Sequence, residues 1–526
     1  VSSNYLYDSY GNVTSSKFES KDGTITKQHF LESTTYSPTG QFVKTKTDEY
    51  GHVSTYTFDY LTNLLSKVKL NSRETSLEYD ALGNNTKTSQ GSKEVIYQYD
   101  GYLLTSISTG GLTYTFQYNE YNDLKKVLVA GSVILENKYK DTNTSKYKGE
   151  ISETIYGTDE INFIYDEESR IKEVYVNNAL INSYIYDSLS NIAEYTDYKT
   201  NITYYYNYDL ENRLIKITST EGNNVTYSYD EDNYLINTTN INGSTSYEYE
   251  SRITPGVGVI DDSKVIKKEV FNDSNDFDYF RKEYDYQIRG LKKIDKTAII
   301  TSTASVTSTY GYDEVVKDGV TYDTIRINSL NILSKEGLVT KGEVQINYEY
   351  DQYNNINRIL YTDGSISRIE GFTYDEFNQL TSYYEYYNGL VTNTYYTYDT
   401  RGNITLIIKK DGYNNEISKT TLTYKTSGWL DELSSATIDG ITYYLNNYDN
   451  SGNPLNYLNY AVTYDNRNIT SLVKGSNNYT YSYNADGIRI SKNINGLVTN
   501  YKLDGNKILS EDRIGVELKY FYDISG

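Results

Sequence analysis

One short phrase of sequence recurs along this chain and constrains its fold more than any other feature. The copy from Tyr204 to Leu214 reads Tyr-x-Tyr-Asp, two loosely constrained residues, Asn-Arg, then an aliphatic residue. The Tyr-x-Tyr-Asp phrase returns at Tyr227–Asp230, Tyr348–Asp351 and Tyr396–Asp399, and Tyr520–Asp523 carries it as Tyr-Phe-Tyr-Asp. A period of about twenty residues marks a repeat architecture, and missing it would mis-assign the whole fold.

Elementary geometry turns the phrase into a hairpin. Side chains alternate along a strand, so Tyr204, Tyr206 and Tyr208 share a face. Asp209 closes that strand, because its carboxylate accepts backbone N–H groups two or three residues on and makes a turn. Three residues after the Asp comes Gly or Asn, as at Gly11, Gly83, Asn212, Asn233, Asn354, Asn378, Gly402 and Gly452. These residue types tolerate positive φ best. A second strand follows, from Arg213 to Ser219, and Glu221-Gly222-Asn223 returns the chain. Return turns are also expected at Asp22-Gly23, Asn242-Gly243, Asp363-Gly364, Asn388-Gly389, Asp411-Gly412, Asp439-Gly440 and Asn495-Gly496, since Asn-Gly and Asp-Gly are strong hairpin signals.

This pattern resembles the YD-repeat family, also called RHS repeats, over nearly the whole chain. The resemblance implies an all-β fold, an array of antiparallel β-hairpins winding spirally into a hollow shell or part of one. In bacterial polymorphic-toxin systems such a shell encloses a toxic C-terminal segment. In the animal teneurins a similar shell belongs to a cell-adhesion receptor. The motif residues expected to build the turns are Tyr79, Asp80 and Gly83; Tyr208, Asp209 and Asn212; Tyr229 and Asp230; Tyr350 and Asp351; Tyr374 and Asp375; and Tyr398, Asp399 and Gly402. In many bacterial relatives a plug region with aspartyl autoprotease activity follows the shell, and no Asp-Pro-x-Gly-Leu junction is present here.

Along the chain the beat defines three stretches. Residues 1–250 form a first run of repeats, loose up to about residue 60, with a degenerate copy expected near Tyr139. Residues 251–346 break the beat and read as an irregular β segment of the same shell. There Pro255-Gly256 is a loop signal, Tyr284-Asp285 lacks its turn, and Thr297 to Thr309 reads as strand. Residues 347–526 form a second run, in which Lys425 replaces the Asp ahead of Trp429, the only Trp.

Composition narrows the function classes. The chain has 526 residues, 64 Tyr, no Cys and no Met, and a net charge of -21. The missing Met predicts an excised or processed stretch. Without Cys there is no disulfide scaffold, thiol nucleophile or Cys-ligated zinc. The acidic balance disfavours nucleic acid, whose phosphates need Lys and Arg. No apolar run approaches the ~20 residues of a membrane span.

Each candidate for chemistry meets a plainer account. An Asp repeated in every unit is a turn former rather than an active site, which is one place. His29 and His52 have no nucleophile motif beside them. Asp261-Asp262 and Glu167-Glu168 are too close in sequence to face each other across a glycosidic bond, as a glycosidase requires. The extra tyrosines Tyr383, Tyr384, Tyr386 and Tyr387 are the candidate ligand patch. The expectation is a non-catalytic structural shell, secreted or on a bacterial cell surface, that encloses or presents a C-terminal toxin polypeptide. No cofactor or metal is expected. The alternatives are an adhesion or glycan-binding module using exposed Tyr patches and, weaker, a carboxylate glycosidase.

Overall fold

The computed structural model describes residues 2–22, 25–140, 149–254, 258–273, 278–288, 293–317, 319–364, 366–445 and 447–522. Among these every regular element is a β-strand, and no helix is long and apolar enough to cross a membrane. Successive strands pair antiparallel as a meander. Ile202–Tyr208, Leu214–Ser219, Asn224–Tyr229 and Leu235–Asn240 are one such run.

Two kinds of turn alternate, and the Asp turn is built as one closed knot. Asp209 Oδ1 accepts the backbone N–H of Glu211 at 3.1 Å and of Arg213 at 2.8 Å. The second donor therefore lies four residues on, not three. The N–H three residues on is taken by the main-chain carbonyl of Asp209, at 3.1 Å from Asn212. Asn212 sits at φ 64°, and the equivalent Gly83 and Gly402 sit at 87° and 99°. The same bonds recur at Asp80, Asp230, Asp351, Asp375 and Asp399.

The return turns mostly follow the dipeptides. Asn388-Gly389, Asp439-Gly440 and Asn495-Gly496 have both φ positive, as a two-residue hairpin turn requires. Two expectations shift. Asp411-Gly412 is an Asp turn of the first kind, with Tyr413 and Asn415 donating to the carboxylate and Asn414 at φ 69°. Around Asn242-Gly243 the strand partners are Asn240 and Gly243, so the two-residue loop is Ile241-Asn242. Asp22-Gly23, Asp363-Gly364 and the last motif copy each touch residues outside those described, as does Pro255-Gly256; the side chains of Asp261 and Asp262 fall outside as well.

The Thr- and Ser-rich stretch from 297 to 309 is a hairpin rather than one strand. Lys293–Ile300 pairs with Ala304–Lys317. Thr301 makes the corner, its hydroxyl accepting the N–H of Ala304 at 2.9 Å, a local bond that Thr side chains offer in competition with the sheet. Nearby strands are long, with Val320–Glu336 covering 17 residues. Tyr284-Asp285 lies inside the strand Asp278–Ile288, with no turn after it.

The chain divides into two compact units. Unit 1 comprises residues 1–111, 249–268 and 281–421; unit 2 comprises 112–248, 269–280 and 422–526. Few large side chains are fully buried in either: Phe30 in unit 1, and Leu112, Val129, Phe271 and Leu445 in unit 2, are the main apolar ones among the described residues. Half-buried tyrosines do most of the covering, which suits a residue with an apolar body and a polar tip.

Within unit 1 the chain returns upon itself after 281 to 305 residues. The return turn at Asn71-Ser72 meets the Asp351 turn, through Asn71 Nδ2 to Gln352 O at 2.7 Å and Ser72 Oγ to Tyr353 Oη at 2.5 Å. Arg73 reaches Asn378 Oδ1 and Asp375 O in the Asp375 turn, at 2.5 and 2.7 Å. Unit 2 does the same in its own way. Gly157 faces Ser451, and Asp197 Oδ2 accepts the N–H of Ala485 at 2.9 Å.

Candidate functional site: the repeat joint and a tyrosine-lined cleft

In copy after copy the motif tyrosine has a job that sequence reading did not assign: its hydroxyl donates to the carbonyl of the first strand residue after the preceding Asp turn, while at Tyr350 the acceptor is Ile327 O within a long strand. In unit 2 these bonds run from Tyr186 to Ile171 at 2.8 Å, from Tyr208 to Ile192 at 3.0 Å and from Tyr229 to Leu214 at 2.9 Å. In unit 1 they run from Tyr374 to Ile356 at 2.8 Å and from Tyr398 to Leu380 at 2.7 Å. The strand register explains why that carbonyl is free. Tyr186 pairs with Ile192 while Ile185 pairs with Glu194, so one residue is bulged out of the ladder. The next tyrosine satisfies the carbonyl that the bulge exposes. Phe could not do this, as at Phe58 ahead of Asp59, and the recurrence of Tyr before Asp was the available signal.

A cation often covers the same ring. Arg170 lies 4.5 Å from the Tyr186 centroid and Arg213 lies 4.9 Å from that of Tyr229, distances at which the ring face attracts positive charge. Both arginines also donate Nε to the Asp opening their own turn, each at 2.7 Å. Burial raises the phenols of Tyr186 and Tyr229. The Asn84 amide and the turn N–H groups hold the Asp80 carboxyl below its usual range, against a raising effect of desolvation. At Asp209 the opposing burial is the largest influence, but the Arg213 and Glu211 bonds still bring it below normal. These Asp residues are structural acceptors with their lone pairs occupied. The degenerate copy at Tyr139 has the joint too, its hydroxyl 2.7 Å from Leu124 O.

The four extra tyrosines do not form one patch. They lie on the strand Leu380–Tyr387, where alternation places Tyr384 and Tyr386 on one face and Tyr383 and Tyr387 on the other. Tyr383 packs 5.5 Å from Phe372 and donates to Glu370 at 3.0 Å. Tyr387 is the exposed member. Of the histidines, His29 is buried with Nδ1 3.3 Å from Asp323 O, and His52 Nδ1 lies 3.0 Å from Asp48 in its own turn.

Unit 2 holds a cleft of about 420 Å³ with a different character. One wall is a ladder of rings on neighbouring strands: Tyr184 over Tyr195 at 5.2 Å and Tyr195 over Tyr204 at 5.9 Å, both stacked. Tyr206 and Tyr227 extend it. The far side is supplied by residues almost three hundred positions later. Asp486, at the second position of the Asn484 turn, accepts the Tyr195 hydroxyl at 3.2 Å. Asp504 ends the strand Leu497–Asp504. Burial lifts the carboxyls of both, and at Asp486 the nearby charge of Asp197 adds to it while the Tyr195 bond pulls the other way. Asp486 lines the cleft while remaining exposed to water. Burial pushes the phenols of Tyr204 and Tyr206 up to about 12, and the charges of Asp486 and Asp504 push in the same direction.

Comparison with known proteins bears on the joint. Residues 208–245 match the family model for the RHS repeat. That segment carries an RHS repeat. The matched segment contains the Asp209 and Asp230 turns and the Tyr229 joint, and the same bonds recur outside it, as at Asp80, Asp375 and Tyr398. No curated protein sequence matches the chain. Among solved structures, TcdB2-TccC3 is similar at 12% identity and a TM-score of 0.40, covering 98% of this chain and 29% of that one. The same complex described as TcdB2-TccC3-TEV covers 98% and 30%, at 12% identity and a TM-score of 0.38. A Photorhabdus luminescens Tc holotoxin pore with mutated TccC3 covers 97% and 27%, at 12% identity and a TM-score of 0.34. The chain thus spans under a third of the length of these structures.

Within an RHS repeat the Tyr, the Asp, the Gly or Asn and the aliphatic residue are one device. The Asp knots the turn, the left-handed residue lets it close, the aliphatic residue offers a carbonyl, and the next Tyr takes it. The cleft lies outside this device, because neither Asp486 nor Asp504 is a motif Asp.

Proposed function

We propose that this chain is a non-catalytic section of an RHS shell, secreted or displayed on a bacterial cell surface, that encloses or presents a toxin polypeptide. The observation that carries this reading is the uniformity of the joint. Asp and Arg are consumed in closing their own turn, and Tyr in holding one hairpin to the next. Repetition of one structural bond in unit after unit makes a wall rather than an active site. The mechanism is steric: a continuous antiparallel array hides its strand edges and keeps a second chain away from solvent and protease until delivery.

Small-angle scattering on the purified chain tests the container. A compact globule of this length has a radius of gyration of about 24 Å. A clearly larger value with a low-density centre is expected. A value at the compact limit would remove the container and leave the adhesion reading, for which binding to a glycan array, lost in Tyr384→Ala or Tyr387→Ala, is the next measurement.

A further inference from the structure

We propose that the tyrosine-lined cleft of unit 2 is a recognition site for a cationic side chain, a guanidinium in particular, carried by a polypeptide lying against this unit. The natural occupant rests on the enclosure reading above; the chemistry of the site does not.

Three features select the ligand. The first is charge. Asp486 and Asp504 line the cleft, and Lys507 is its one basic lining residue. Asp197 already accepts three backbone N–H groups, from Lys199, Thr200 and Ala485, so the carboxylates offered to a ligand are Asp504, with the charge of Lys507 nearby, and Asp486, one oxygen of which holds the Tyr195 hydroxyl. The second is the use of the rings. Tyr195 is stacked on both faces, by Tyr184 and by Tyr204. A sugar needs an open ring face to lie on, and this ring has none. Tyr195 gives its hydroxyl to Asp486, and a phenol oxygen can accept as well as donate, so the lining tyrosines offer acceptors beside the carboxylates. A guanidinium carries five N–H donors in a planar fork and no acceptor, the complement of such a wall. The third is size. About 420 Å³ lies within the usual range of small-ligand sites and admits one long side chain with a little water.

The state of the carboxyls follows. Burial holds both above the ordinary aspartate range, and a bound cation favours their charged form. The groups facing them are Asp197, Lys507 and the phenols of Tyr195, Tyr204, Tyr206 and Tyr227. The phenols, raised by burial, stay protonated throughout the acid range. Binding therefore weakens as pH falls through the raised carboxyl range, beginning at a higher pH than an ordinary aspartate would give.

Calorimetric titration of the whole chain with N-acetyl-arginine amide tests this, with the neutral N-acetyl-citrulline amide and a neutral disaccharide alongside. The arginine compound is expected to bind at one site at pH 8, at least tenfold more tightly than the citrulline compound. Asp504→Asn is expected to lose at least tenfold, with a melting temperature within a few degrees of the parent. Asp486→Asn, which keeps a partner for Tyr195, is expected to lose several-fold. Absence of arginine binding, equal binding of citrulline, or preference for the disaccharide would each overturn the proposal. The scattering measurement is independent of this one, so failure of the site and failure of the container are told apart.

Discussion

Unit 1 contains the same turn in two settings. The Asp351, Asp375 and Asp399 turns and the Asp59 and Asp80 turns all bond their own carboxylate to the N–H two residues on. What differs is the residue that donates that N–H. In the later row it is gripped by a distant return turn. Tyr353 lies under Arg73 at 3.5 Å, Phe377 under Lys93 at 4.0 Å, and Arg401 donates to Gly110 O at 3.0 Å. In the earlier row Leu61 is 75% exposed and Leu82 is 54% exposed. The carboxylate sets the turn; the residue two places on decides what the turn touches. Local structure and long-range docking are thus written at different positions of one motif.

Arg73→Ala is the change expected to separate the two rows most. It removes two hydrogen bonds and a cation over Tyr353, a loss of about 2–3 kcal/mol. Urea unfolding should show a lower midpoint, and a change under 0.5 kcal/mol would mean that the docked row is not held by these contacts.

Next come two glycines of the return turns. Gly110 has φ 53° and its added Cβ would lie 2.4 Å from Arg401 Cγ, while Gly389 has φ 80° with nothing within 4 Å. Alanine at either meets the backbone penalty of about 1 kcal/mol. Only Gly110→Ala must also displace Arg401, for a total of about 2 kcal/mol. Equal losses by thermal melting would erase the distinction.

The aspartates should not distinguish the rows. Asp375→Ala and Asp80→Ala each strip the acceptor from a turn and should lower the urea midpoint alike; a twofold larger loss at one would show that docking reinforces its turn. Acid gives a second reading of the same bonds. The Asp80 and Asp399 carboxyls lie below their normal range, so their stabilisation is complete above the unfolded value and fades as pH falls through the folded one. Asp504 lies above its range and has the opposite sign, gaining stability as it protonates. Asp80→Asn should therefore flatten the acid side of the stability profile and Asp504→Asn should steepen it.

The smallest effect is expected at Leu82→Ala. This exposed turn residue should change stability by less than about 0.5 kcal/mol, and a larger loss would show that the earlier row is covered in solution.

Legibility in the sequence followed distance along the chain. Asp209, Asn212 and Gly222 could be read because each bond closes within four residues. Asp411-Gly412 misled because Asp followed by Gly begins both kinds of turn, and only Asn414 and Asn415 beyond it decide. Thr301 hid a corner, since Thr is also a good strand residue. The joint was harder, because Tyr229 and Leu214 are 15 residues apart and their bond depends on a bulge. The cleft was beyond reach: nothing near Tyr195 indicates that Asp486, 291 positions on, will meet it.

The tyrosine joint also gives the array a direction. Each hydroxyl looks back towards the N-terminus, across 15 residues from Tyr186 to Ile171 and 18 from Tyr398 to Leu380. A hairpin leaving the ribosome is thus locked by the next one to emerge, and never by one already made. Such short loops close fast, whereas contacts such as Arg73 with Asp375 must wait for some three hundred residues more. The sheet of each unit is thus a ratchet that advances one hairpin at a time, and its long-range docking follows well behind the local locking.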